Sequence, residues 1–267
     1  MAEFTGNVVI VTGASEGIGR ALCLALAPQR PKLVVAARSA DRLESLAAEC
    51  RKAGAEVMVF PADLTQEAPC REIVDAAVEK FGRLDTLVLN AGRTMWALAE
   101  DIRDPSIFRE IMELNFFSLV WTTLAALPHL KATRGRIVPV ASLAGLTGVP
   151  SRSAYCASKH AVLGFFDSLR IELADSGVTV TTVCPDFVVS EIHKRALDGT
   201  GRELGDTPMQ ESKIMTADEC AALMVKAMEK RERMLITSVR GKLGRALKLL
   251  APSVIDKMAE KAIRDRK

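Results

Sequence analysis

The chain has 267 residues, 49% hydrophobic and 26% charged, with a net charge of +3. That length can bury a sizeable core in one domain, and its ordinary charge, with no nucleic-acid recognition motif, argues against a nucleic-acid partner. Cysteines 23, 50, 70, 156, 184 and 220 stand singly, with no CxxC pair and no zinc-like His/Cys spacing, so no metal is expected and reduced thiols in a cytoplasmic protein are the simplest reading.

Met1 to Gly6 lack a basic segment followed by a long apolar one, so no signal peptide is expected. No run of about 18 uninterrupted apolar residues occurs, so no transmembrane helix is expected. From there strands and helices alternate. Asn7–Thr12 reads as a buried strand, Gly17–Pro28 as a helix, Lys32–Ala37 as a strand and Asp41–Ala53 as a helix. Glu56–Phe60, a helix at Glu67–Phe81 and strand Asp85–Leu89 follow. A long helix is expected over Ser106–Leu130, then strand Gly135–Ala141, helix Ser153–Asp175 and strand Val178–Cys184. Helix Ala217–Lys230 and strand Arg233–Thr237 complete the series. Continuous Val/Ile/Leu strands alternating with amphipathic helices indicate a parallel sheet covered on both faces. The fold class is therefore α/β: a Rossmann-type doubly wound sheet of about seven strands in a single domain. Asp186–Met215, with Gly199, Gly201, Gly205 and Pro208, is the least regular stretch. Following a strand's C-terminal end, it is a candidate lid over a ligand crevice.

Thr12-Gly13-Ala14-Ser15-Glu16-Gly17-Ile18-Gly19 joins the first strand to the first helix. Its glycines allow a tight turn and close backbone approach, and the helix start behind them offers free N–H groups to a phosphate. A glycine-rich turn without a ligand is the plainer alternative. Further on, Tyr155 and Lys159 are one helical turn apart, thirteen residues beyond Ser142. A phenol has an unperturbed pKa of about 10, and bringing it to about 7 needs roughly 4 kcal/mol. A lysine on the same helix face favours the phenolate. A tyrosine so poised gives a proton to a carbonyl oxygen or takes one from an alcohol. Ser142, ending a strand, can hydrogen-bond the substrate oxygen, although alone it reads as a turn residue.

With these motifs in their order, the chain closely resembles the short-chain dehydrogenase/reductase family in its single-domain branch, over about Asn7 to Thr237. The resemblance implies an oxidoreductase with Asn115, Ser142, Tyr155 and Lys159 as catalytic residues. It implies a dinucleotide site at Gly13, Ser15, Gly17, Ile18, Gly19, Asp63, Leu64, Asn90, Ala91 and Gly92, shared with Tyr155 and Lys159. Asp63 would bond the adenine amino group, although capping of the next helix explains an Asp there equally. Asn90-Ala91-Gly92 would lie against the adenine ribose, with Leu89 in place of a frequent first Asn. Asn115, mid-helix, would distort that helix and hold a water linking Lys159 to solvent; a structural polar contact is the alternative. Pro185, Val188 and Ser190 match a segment that binds the nicotinamide carboxamide. Asp186 departs from the family's Gly there, adding bulk and charge beside the nicotinamide. Arg38 and Ser39 end the second strand where an acid would select NAD, so NADP(H) is the preferred cofactor and NAD(H) the alternative. Glu16 dissents, since some NADP-preferring relatives carry a basic residue there. Met95, Trp96, Leu143, Val149 and Phe187 are candidates for a substrate pocket taking a hydrophobic carbonyl or alcohol. A non-catalytic dinucleotide-binding sensor or scaffold is the rival from another class.

Residues 1–240 are expected to carry these motifs, and 241–267 to be a basic amphipathic helical extension of the same domain. From Arg240 onward nine Lys/Arg face three Asp/Glu, with Leu243, Leu247, Leu250, Ile255, Met258 and Ile263 interleaved and Pro252 breaking the run. Packing on its own domain or across a dimer is favoured over peripheral contact with an anionic membrane. The family's use of its two long central helices in oligomer contacts implies a homodimer or homotetramer.

Overall fold

The computed structural model of the protein describes residues 3–207, 209 and 214–264, apart from the side chains at 258 and 261–264. Pro208 and the side chains of Met258 and Ile263 thus lie outside the described residues.

Six parallel strands form the central sheet: β1 (Val8–Thr12), β2 (Lys32–Ala37), β3 (Glu56–Pro61), β4 (Thr86–Leu89), β5 (Arg136–Pro139) and β6 (Thr179–Val180), in the order β3-β2-β1-β4-β5-β6. Successive strand residues point to opposite faces, and each face has its own helices. Val9, Val11, Leu33, Val35, Val88 and Val138 pack on α1 (Gly17–Leu26), α2 (Ala40–Lys52) and α7 (Ala217–Glu229) through residues such as Leu22, Leu46 and Met224. Val8, Ile10, Val34, Leu87 and Ile137 pack on α3 (Glu67–Phe81), α5 (Ser118–Thr133) and α6 (Ser153–Glu172) through Ile73, Ala126 and Phe166. This double coverage is why the strands read as unbroken apolar runs.

The strand expected at Val178–Cys184 is interrupted. Thr181 N–H still donates to the Ile137 carbonyl, but Thr182 N–H turns to Arg233. Thr182–Cys184 (β7) then pairs in parallel with Met234–Ile236 (β8). The protein thus has a six-stranded central sheet and a β7–β8 pair in place of one seven-stranded sheet. The bridge from Val140 to Val183 keeps the pair beside β5.

The expected long helix is continuous over Ser106–Thr133 but not uniform. After α4 (Ser106–Met112) comes a π-helical turn at Glu113–Phe117, then α5. By length and composition this helix could cross a membrane; in the fold its inner residues Leu119, Ala126 and Leu130 join the core. The expected boundary at residue 240 falls inside α8 (Val239–Leu250), and α9 (Pro252–Arg264) starts at the proline that cannot continue α8.

The sheet order reverses between β1 and β4. In open α/β sheets such a switch point opens a crevice outside the carboxyl ends of the strands.

Candidate active site

The crevice is one cavity of about 890 Å³ running from the end of β2 past the start of α1 to the C-terminal helices. At its first end lies the glycine turn. Gly13 has φ +65°, and a Cβ there would sit 2.8 Å from the Ala91 Cα; one at Gly19 would sit 2.3 Å from the Gly13 carbonyl oxygen. Only glycine allows this closeness. The Asn90 side chain donates to the Thr12 and Gly13 carbonyls at 3.2 and 3.1 Å, and Asn90 and Ala91 N–H donate to Thr12 Oγ1. The Asn90 side-chain amide therefore braces the turn. No side chain caps α1, and Gly17 and Ile18 at its start line the cavity. An uncapped helix start of this kind is an anion site, and the residues fit the diphosphate of a dinucleotide.

Arg38, Ser39, Asp63 and Leu64 line the same end. Asp63 does not cap α3; its carboxylate accepts from Thr65 N–H and Oγ1 at 3.1 and 2.9 Å, closing a local turn. Glu16 is neutralised by Arg42 at 2.6 Å and Arg195 at 2.8 Å. Sequence reasoning missed these two arginines, which come from α2 and the irregular segment and meet only in the fold. The Glu16 carboxylate at this end of the cavity is therefore paired with two cations.

At the other end Ser142, Tyr155 and Lys159 line the cavity with Asn90, Ala91, Gly92, Pro185, Val188 and Ser190. Tyr155 and Lys159 lie on α6, and Ser142 follows β5. Lys159, 3% exposed, donates from Nζ to the Val140 carbonyl at 2.8 Å. Burial lowers its pKa to about 8. The phenol shifts the opposite way from the expectation. Burial pushes Tyr155 up; the Ser142 hydroxyl and Arg152 pull it down. Lys159 Nζ stands 5.7 Å from the ring centroid and donates to the Val140 carbonyl. A neutral phenol next to a serine hydroxyl is a proton donor in the state a carbonyl substrate needs.

Asn115 does not line the cavity. It sits fully buried in the π turn, where Oδ1 accepts from Arg93 N–H at 2.7 Å and Nδ2 donates to the Arg93 carbonyl at 2.8 Å and to Ser158 Oγ at 3.0 Å. The amide thus fixes the chain just after β4 against α6. A Cβ at Gly92 would lie 3.3 Å from Asn115 Oδ1 and 3.6 Å from Lys159 Nζ, so the two side chains flank one glycine.

Leu143, Val149 and Phe187 line the pocket as expected, but Met95 and Trp96 do not. Met95 is fully buried with Ile107, Ile111, Ala154 and Leu197, and Trp96 carries the Arg152 guanidinium 4.4 Å from its ring centroid. Arg152 also stands 5.2 Å from the Phe187 ring and lines the cavity. His193, another lining residue, is buried, and no ring nitrogen has a partner of hydrogen-bonding geometry. Burial first and Arg152 second lower its pKa to about 4, against a smaller opposing pull from the Val188 backbone. It is a neutral imidazole at neutral pH. No sequence signal marked Arg152 or His193.

The Asp186 carboxylate is not a free charge beside the cofactor site. Burial would raise its pKa, but hydrogen bonds from Arg240, Ser238 and Phe187 N–H hold it below the ordinary range. The C-terminal helices complete the cavity through Arg240, Gly241, Gly244, Arg245, Ile255 and Ala259, which the sequence did not indicate. Among the described residues no cluster of three or more His, Cys, Asp or Glu could hold a metal.

Residues 7–200 match the family model for short chain dehydrogenases. A Dictyostelium discoideum protein, dehydrogenase/reductase SDR family protein 7-like, is 35% identical over 97% of this chain and 83% of its own. An Arabidopsis thaliana protein, 11-beta-hydroxysteroid dehydrogenase 1A, is 35% identical over 94% of this chain and 74% of its own. A Burkholderia phymatum short chain dehydrogenase/reductase solved with NAD superposes with TM-score 0.84 at 26% identity, covering 95% of this chain and 96% of that one. A Thermococcus sibiricus alcohol dehydrogenase complexed with 5-hydroxy-NADP gives TM-score 0.74 at 27% identity, over 86% and 95%.

Proposed function

The chain belongs to the short-chain dehydrogenase/reductase family and is an NAD(P)-dependent oxidoreductase; from that premise we propose that it interconverts a hydrophobic ketone or aldehyde and its alcohol, with NADPH preferred. The observation that carries the reading is that Ser142, Tyr155 and Lys159 open onto the same cavity as the glycine turn and Arg38. A nicotinamide cofactor held in the cavity would supply the hydride in reduction and accept it in oxidation. Ser142 orients the substrate oxygen, and Tyr155 donates the proton in reduction or accepts it in oxidation. Lys159, with a pKa near neutrality, changes charge state at little cost and would hold the cofactor ribose. Asn115 keeps the loop after β4 and the catalytic helix in register.

For the cofactor, support comes from Arg38 and Ser39 at the end of β2 and from the engagement of Glu16 by Arg42 and Arg195. The hydrophobic substrate is supported by Leu143, Leu146, Val149, Phe187 and Ile255 along the pocket, and by the steroid-dehydrogenase name of a relative. A homodimer or homotetramer completes the reading, on the part-exposed Phe108, Phe117 and Leu124 of the long central helix. Six free, buried cysteines suit the reducing cytoplasm. The test is reduction of a panel of hydrophobic carbonyls with NADPH by the wild type and by Tyr155→Phe. The variant should bind NADPH and lose at least about a hundredfold in kcat, the usual worth of a general acid. Full turnover by Tyr155→Phe refutes the mechanism.

A further inference from the structure

Asp186 stands where the family pattern has glycine, and its carboxylate reaches away from the crevice floor to the chain's last segment. Arg240 grips it with two parallel bonds, Nε to Oδ2 at 2.5 Å and Nη2 to Oδ1 at 2.6 Å. Ser238 Oγ donates to Oδ2 at 2.6 Å and accepts from Gly241 N–H at 3.1 Å, so one hydroxyl joins the carboxylate to the start of α8. Phe187 N–H donates to Oδ1 at 2.8 Å, and Asp186 N–H donates to Thr237 Oγ1 at 3.0 Å. The paired guanidinium and carboxylate form the stronger, directional class of hydrogen bond.

These bonds matter because α8 has little else. Gly241 is its one buried residue, whereas helices in proteins owe most of their stability to a packed apolar face. Gly241 fits so closely that a Cβ would lie 2.7 Å from Leu143 Cδ2. At the helix's far end Lys248 Nζ donates to the Leu146 carbonyl at 2.9 Å. So α8 is tied at its start to the residue preceding Phe187, and near its end to the segment following Ser142. Both segments line the pocket.

We infer that Asp186 is a positioning residue: it latches α8 across the pocket, so that the C-terminal helix pair forms the outer wall of the substrate site and selects for large hydrophobic substrates. The inference rests on the carbonyl-reductase reading for its substrate class. A four-ring ketone fills more of the cavity than a one-ring ketone bound at Ser142 and Tyr155, and Gly241, Gly244 and Ile255 line that cavity.

The experiment compares wild type, Asp186→Asn, Arg240→Gln and the double variant. Arg240 has a side chain 68% exposed, so its replacement leaves the interior intact even if changes at Asp186 impair folding. Four quantities are measured: amide hydrogen exchange over residues 239–250, the Kd for NADPH, and kcat and KM for cyclohexanone and a four-ring ketone. Each single variant should lose protection in α8 and raise KM for the four-ring ketone about tenfold, as expected for a lost charge-assisted hydrogen bond. For Arg240→Gln, which lies outside the Pro185–Ser190 segment, kcat, KM for cyclohexanone and NADPH binding should stay near wild type. The double variant should be no worse than either single, since both remove one interaction. Unchanged protection in both singles overturns the latch. Lost protection with an unchanged KM ratio overturns the wall. If the wild type reduces neither ketone, the reductase reading fails, and hydrogen exchange alone still decides the latch.

Discussion

Lys159→Met makes the energetic cost of burying a lysine measurable without a substrate. Lys159 is buried beneath the cavity with a backbone carbonyl as its hydrogen-bond partner. Burial takes its pKa from 10.5 to about 8. Between those values the unfolded chain still holds the proton and the folded chain has released it. Stability therefore rises with pH through that window, as it does wherever the unfolded state binds more protons. At about 1.4 kcal/mol per unit, the lysine gains the wild type about 3 kcal/mol between pH 8 and pH 10.5. The thiols act oppositely: burial raises Cys50 and Cys70 to about 11 and Cys184 and Cys220 to about 12, so they destabilise as pH climbs past 9. Because the thiols occur in both proteins, they largely cancel in a difference. Urea unfolding of cofactor-free wild type and Lys159→Met should be followed from pH 7 to 10.5. The wild type should gain on the variant steadily above pH 8. A flat difference would mean that the lysine keeps an ordinary pKa in the fold and that the burial argument is wrong.

Two further outcomes can be checked directly. Arg38→Ala should weaken NADPH binding about tenfold or more by removing a phosphate fork, while NADH binding stays within about twofold; equal losses for both cofactors in a fluorescence titration would refute the assignment. Asn115→Ala leaves the Arg93 N–H and carbonyl unsatisfied, at about 1–3 kcal/mol for each group that stays buried. It should lower the urea midpoint with an unchanged denaturant slope; an unchanged midpoint would show that the π turn holds itself.

The strands and the glycine turn were legible because their causes are local. A doubly covered strand must be apolar throughout, and Gly13 and Gly19 must be glycine because a Cβ has nowhere to go. The break at Thr181 was not legible. Val178 to Val183 is an unbroken β-branched run of Val and Thr, and nothing in it says that the Thr182 N–H will leave Ile137's strand for Arg233. Arg42 and Arg195 escaped notice for a similar reason: both belong to segments read for packing or loop character, and only the fold brings them to Glu16. The π turn was foreshadowed by a mid-helix asparagine, but Asn115 satisfies its amide with Arg93 and Ser158, partners 22 and 43 residues away.

The C-terminal helices show where pattern reading reverses. An amphipathic basic helix is ordinarily placed with its apolar stripe inward and its cations in water. In α8 three cations reach back to the domain: Arg240 to Asp186, Arg245 to the Met234 sulfur and Lys248 to the Leu146 carbonyl. Val239, Leu243, Leu249 and Leu250 are left exposed, Leu250 at 86%. The inversion has a local cause. The acceptors under α8 are the Met234 sulfur, the Leu146 carbonyl and the Asp186 carboxylate, the last a full negative charge. Once that carboxylate is present, a paired and largely buried charge is far more costly to abandon than an exposed leucine. Asp186, beside the cavity, therefore holds the start of a helix more than fifty residues later.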